Sequence, residues 1–294
     1  PLRPTDLDKG GIHMEPFAPT SHDVRIRPRT KDPRGLDAFV ESSLAELWSF
    51  RPVPRRAFEA DPDFGSPDTP ARQVRASFVS CVPPSAAVKA ITGPDPVGTI
   101  QAANTRAIAL LDYVIRDLEG KRSSIRAGAT TADAVEDIPV RDSLRTRFRM
   151  NADDRSIWTG TAARSVLTLI RRFRGARQIL ADGWMRYTCI GPGPGLPPVP
   201  LGDCGRIRCE GLDQAWSCGG HSRILLCGRW WTDDLGTNLL DSQAGTLLHE
   251  ALHIYFGFIG DQEQGNFTNA HCYDHFVFDL NWLDVPAIFV DACP

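Results

Sequence analysis

The sequence predicts an α+β fold: a small sheet above a helix that carries His249-Glu250-Ala251-Leu252-His253, with a smaller region in front. Three observations carry that reading. Apolar residues recur at helical spacing in several segments, and β-forming residues concentrate in Val74–Val82, Trp184–Ile190 and Arg223–Trp231. The third is a HExxH inside the apolar run Ala244–Phe258. With 294 residues, 42% of them apolar and 23% charged, the chain can bury one large core or a main domain with a companion.

In chain order, residues 1–35 are rich in Pro, Asp, Arg and Gly, the composition of an extended arm. Leu36, Phe39, Val40, Leu44, Leu47 and Trp48 mark an amphipathic helix over Gly35–Phe50, followed by a Pro/Asp-rich loop from Arg51 to Pro70 and the Val74–Val82 strand. Pro and Gly interrupt Pro83–Pro96, so the boundary is placed there: 1–95 as the N-terminal region, 96–294 as the main domain. From Ile100 to Leu118 an apolar stripe predicts a long helix ending at Gly120. Leu144 and Phe148 begin another helical patch, and Ala162, Val166, Leu169, Ile170 and Phe173 predict a helix that stops before Gly175. Arg171, Arg172, Arg174 and Arg177 then read as a solvated, basic helix end. Asp241 or Ser242 caps the HExxH helix, and Ala270, Tyr273, Phe276, Val277 and Leu280 give a last helix in which Tyr273 and Phe276 face the core and His275 faces solvent.

The chemistry concentrates at the HExxH. Helix positions i and i+4 share a face, so His249 and His253 can point at one ion, and Glu250 falls beside them where it can hold a water on that ion. Neutral nitrogen ligands, an open coordination position and a carboxylate base are what a Zn²⁺ hydrolase requires. Four of the seven histidines lie within 27 residues: His249, His253, His271 and His275. A third ligand six residues after His253 is excluded because that position is Ile259, and a Glu from a later helix is excluded because none follows Glu263. Asp261 and His271 remain as the candidate third ligands.

Charge and cysteines bound the alternatives. Thirty-three basic against 36 acidic residues, a net charge of −3, give no basic face for nucleic acid, and apolar runs such as Ala107–Leu111 are too short to span a bilayer. Five cysteines (Cys189, Cys204, Cys209, Cys218, Cys227) fall within 39 loop-rich residues without a CxxC pair. That pattern reads as disulfides in preference to a structural zinc site, and so as an exported protein, although Pro1-Leu2-Arg3-Pro4 begins no signal peptide.

The stretch Asp241-Ser242-Gln243-Ala244-Gly245-Thr246-Leu247-Leu248-His249-Glu250-Ala251-Leu252-His253 resembles the active-site helix of the deuterolysin-type peptidases, the aspzincins, which include fungal lysine-specific metalloendopeptidases. Ile224-Leu225-Leu226-Cys227 and Asn269-Ala270-His271-Cys272-Tyr273-Asp274-His275-Phe276 share the likeness, which covers about 98–285. The resemblance implies a zincin-like metallopeptidase domain and, through a Gly-Thr-x-Asp-x-x-Tyr-Gly segment, Asp261 as third ligand. Ile259 stands in that segment where the family has Thr, and Gln264 where it has the Tyr that stabilises the oxyanion. Gln264 and Tyr273 are therefore the candidate oxyanion donors. The positions that grip a substrate lysine in that family correspond to His271 and Asp274. The implied function is zinc-dependent endopeptidase action on a protein or peptide, with Glu250 as general base. Two alternatives are a secreted toxin-like or binding module whose zinc is structural, and an amidase acting on a non-protein substrate such as peptidoglycan.

Overall fold

A computed structural model describes residues 65–82, 86–190, 198–201, 204–210, 213–219, 221–232, 238–257, 259–261, 265–283 and 293. The helix expected over Gly35–Phe50 and the candidate donor Gln264 lie outside the described residues. The fold is mixed helix and sheet. A 3-10 turn, Ala76–Phe78, leads into β1 (Val79–Val82), so the expected strand is shorter than its β-rich segment. Helices α1 (Ala86–Thr92), α2 (Pro96–Arg126), α3 (Thr131–Ala134), α4 (Ile138–Phe148), α5 (Arg155–Thr159) and α6 (Val166–Ala181) follow. Strands β2 (Arg186–Ile190), β3 (Val199–Pro200), β4 (Arg206–Ile207), β5 (Ala215–Ser217) and β6 (Arg223–Leu226) precede α7 (Leu239–Tyr255) and α8 (Ala270–Leu280).

The main sheet has the order β1-β2-β6-β5, with β1, β2 and β6 parallel and β5 antiparallel to β6. Alternation along its central strands divides two cores. Tyr187, Ile224 and Leu226 face the helices, whereas Ile190 and Leu225 meet Val199, Leu201 and Cys218 on the other side. That second core is small, and two disulfides, Cys204–Cys218 and Cys209–Cys227, staple the loops around it. Loops of this length closed by a disulfide contribute about 3 kcal/mol each. A third disulfide, Cys272–Cys293, ties α8 to the carboxyl-terminal segment, and no described cysteine is free.

The boundary drawn at 95/96 does not interrupt the packing: β1 pairs along β2, and α1 also contacts β2. On the sheet's inner side, α2, α6 and α7 pack against one another, and α8 closes over α4 and α7. Two helices outrun their predicted ends for the same reason. Past Gly120, Ile125 continues the buried stripe of α2, and Lys121 is held by Asp117 and by Asp137 at 2.7 Å. Past Gly175, Ala176, Ile179 and Leu180 continue that of α6. Gly175 is where α6 and α7 touch, since a Cβ there would press on the Tyr255 ring. A helix interior tolerates the cost of glycine, about 1 kcal/mol against alanine, when contact on both sides demands it.

The arginines of α6 are not a solvated helix end. The helix runs on to Ala181, so they lie in its middle, where Arg171 is exposed and the other three face neighbouring elements. Arg177 is 2% exposed and paired with Asp112, Arg174 reaches Glu119 at 2.5 Å, and Arg172 contacts the Tyr273 hydroxyl and the Phe267 carbonyl. The aromatic rings Phe148, Phe173, Tyr273 and Phe276 form the centre of the helical core, which confirms Tyr273 and Phe276 as core residues.

Candidate metal centre

Helix α7 begins at an Asn238 cap whose side chain accepts from the Asp241 N–H at 2.9 Å, three residues before the predicted cap. Asp241 lies in the first turn instead, accepting from Arg106 Nε at 2.6 Å. Leu247, Leu248, Ala251, Leu252 and Ile254 bury the inner side of the helix. Thr246, His249, Glu250 and His253 share the remaining stripe and line a cleft of about 470 Å³. Gly245 permits the close approach of α8, because a Cβ at that position would run into the Phe278 ring.

The segment after α7 doubles back under this stripe. Gly260 donates to the Thr268 carbonyl and accepts from the Ala270 N–H, both at 2.9 Å, and Asn269 Nδ2 donates to the Asp261 carbonyl at 3.2 Å. These bonds deliver the Asp261 carboxylate to the imidazoles. Its Oδ1 lies 2.8 Å from His249 Nε2 and 2.9 Å from His253 Nε2, and the two Nε2 atoms are 3.0 Å apart.

Proton placement follows from the outer partners. His253 Nδ1 is 2.7 Å from the Ile259 carbonyl, which can only accept, and His249 Nδ1 is 2.7 Å from Asp274 Oδ2. Both Nδ1 atoms therefore donate, and in neutral rings both Nε2 atoms present lone pairs. Two lone pairs and a carboxylate oxygen then face one another within 3.0 Å. Such an arrangement is repulsive without a cation among the three atoms. The donors fit a divalent ion: two neutral nitrogens and one carboxylate, with each ring oriented from behind by an acceptor. His249, His253 and Asp261 thus form a group able to hold a metal ion. No protein-family model and no curated protein matches the chain.

The electrostatics favour a cation at the same place. Burial opposes a charged His249, but hydrogen bonds to Asp261 and Asp274 outweigh it and raise its pKa well above 6.5. For His253 burial again opposes the charge, while the bond to Asp261 and the field of Glu250 carry the balance upward. Burial would also raise Asp261, yet its bonds to His249 and His253 hold it far below the ordinary carboxylate range.

The predicted residues divide as follows. His249, His253 and Asp261 converge, and Glu250, 6% exposed, lines the cleft beside them. His271 does not join the three converging donors. It lines the cleft with its ring 4.5 Å from that of His249 and its Nδ1 3.4 Å from Asp274 Oδ2, in a second group of possible ligands made of His249, His271 and Asp274. Tyr273 is not placed to stabilise an oxyanion: it is fully buried outside the cleft lining, and its hydroxyl donates to the Phe267 carbonyl at 3.0 Å. Burial pushes that phenol up to about 12 against the opposing charge of Arg172. His275, expected on the surface, is 1% exposed because its side of α8 packs against α7. Sequence reasoning missed the two acceptors behind the imidazoles, the Ile259 carbonyl and Asp274. A backbone carbonyl leaves no mark in a residue pattern, and Asp274 is 25 positions from its partner.

Proposed function

We propose that the chain is a zinc-dependent endopeptidase with a zincin-like domain of the deuterolysin type. The observation that carries the reading is the convergence of His249 Nε2, His253 Nε2 and Asp261 Oδ1 beside a buried Glu250 in an open cleft. His271 belongs to a second group with His249 and Asp274 and not to the His249, His253 and Asp261 group, and the Asp261 side chain is half exposed, which favours a centre open to solvent and substrate. A structural site would be closed by a fourth protein ligand.

When bound, the ion would acidify a water molecule and polarise the scissile carbonyl. Glu250 takes the proton of the attacking water and returns it to the leaving amine, general acid–base work worth ~10²–10⁴-fold. His249 and His253 hold their orientation through Asp274 and the Ile259 carbonyl. β5 is the antiparallel end strand of the sheet and lines the cleft with Ala215, Trp216 and Ser217. An extended peptide can lie along it by strand addition, a feature that favours a polypeptide over a peptidoglycan fragment. The disulfides Cys204–Cys218, Cys209–Cys227 and Cys272–Cys293 are consistent with an extracellular protein, and secretion is part of the proposal.

The test is incubation of the purified chain with casein and, separately, with cell-wall fragments, with and without a chelator. The proposal expects chelator-sensitive cleavage of casein that returns when zinc is restored. Cleavage of cell-wall fragments alone would transfer the site to amidase chemistry, and stoichiometric zinc without turnover on either substrate would favour a structural role.

A further inference from the structure

α7 and α8 face each other through stripes of identical spacing. Ser242, Gly245, Thr246 and His249 on α7 oppose His271, Asp274, His275 and Phe278 on α8, and both stripes line the cleft. Asp274 is the one carboxylate on the α8 stripe, so it is the residue there that could meet a cationic substrate side chain. One of its oxygens is engaged, and the other, without a hydrogen-bond partner, is buried. Oδ2 accepts from His249 Nδ1 at 2.7 Å and lies 3.4 Å from His271 Nδ1, while Oδ1 is 3.6 Å from His275 Nε2. The side chain is only 11% exposed. A substrate ammonium could reach this carboxylate only by displacing imidazoles, one of them a metal ligand.

We infer that Asp274 is a positioning residue for the metal centre, holding His249 by its Nδ1, and that it gives the enzyme no preference for lysine. This rests on the metal-site reading of His249, His253 and Asp261. A carboxylate behind a ligand imidazole fixes the ring and its tautomer and makes the coordinating nitrogen more basic. The same oxygen's contact with His271 couples a cleft-lining ring to the ligand, so α8 helps to set the centre from behind.

Zinc affinity of the full chain, measured by competition with a fluorescent chelator, separates this role from substrate recognition. Asp274→Ala should weaken zinc binding towards the upper end of the ~10- to 100-fold range for such partners. Asp274→Asn should fall near the lower end, about 10-fold, because its amide oxygen still accepts the Nδ1–H but carries no charge. The Asn variant is nearly isosteric and decides the matter if the Ala variant does not fold. Unchanged zinc affinity in Asp274→Asn, with cleavage before lysine selectively lost, would overturn the inference alone. A wild-type chain that binds no zinc would overturn the metal-centre reading and this inference with it.

Discussion

Buried charge is handled in opposite ways in the helical core and at the cleft. Among the helices three acids meet arginines, fixed cations: Asp112 with Arg177, Asp279 with Arg147 at 3.0 Å, Asp241 with Arg106 at 2.6 Å. In these pairs the carboxylate already has a permanent cation. At the cleft Asp261 and Asp274 meet imidazoles, whose charge depends on what they bind, and Glu250 adds a third acid beside them. The positive charge of the cleft therefore depends on a proton or a bound ion, whereas that of the core is fixed. The lesson is that a buried carboxylate points to function when its partner can change charge, and to structure when it cannot.

The largest effect that would break this contrast is chemical. Glu250→Gln should keep stoichiometric zinc while turnover on casein falls ~10²–10⁴-fold, and near-wild-type turnover would remove Glu250 from the chemistry. Next comes the core pair. Arg177→Ala leaves Asp112 without its cation and should cost about 3–5 kcal/mol in denaturant unfolding. Replacing both residues with apolar ones of similar volume should restore most of that loss. A rescue of that kind should fail at the cleft, where losing Asp261 and His249 together removes the metal.

The closeness of α7 and α8 sharpens the contrast further. Gly245→Ala pushes into the Phe278 ring and should cost about 1–3 kcal/mol by overpacking. Because the displacement separates His249 from Asp274, zinc affinity should drop with stability. A stability loss at constant zinc affinity would show that the helix spacing does not tune the centre. The smallest effect is at the cap: Asn238→Ala should cost about 1 kcal/mol in thermal unfolding, with zinc affinity retained.

How much of this was legible in the sequence depended on distance along the chain. His249 and His253 were readable because four residues make one helical turn, and Asp261 lies in the turn that immediately follows. Tyr273 and Phe276 were readable as core from helical period, while the competing assignment of Tyr273 to the oxyanion failed because its hydroxyl is spent on Phe267 and Arg172. The arginines of α6 misled because a charge run looks alike whether it meets water or a carboxylate 65 residues away. Asn238 was overlooked as a cap because Asp241 and Ser242 are equally good capping types, and only the backbone decides among them. Three of the main sheet's four strands were located but not their lengths, since the β-rich residues Gly228–Trp231 form a 3-10 turn in which Trp230 Nε1 donates to the Gln243 carbonyl, and β5 was missed because it lies within the cysteine-rich stretch that reads as loop.

X-ray absorption at the zinc edge, on the full chain loaded with one equivalent of metal, tests the central claim most directly. The account predicts one ion per chain in a shell of nitrogen and oxygen alone, with the scattering signature of two imidazoles, abolished in the His249→Ala, His253→Ala double variant. Sulfur in the shell, or zinc that binds the double variant as it binds the wild type, would contradict it.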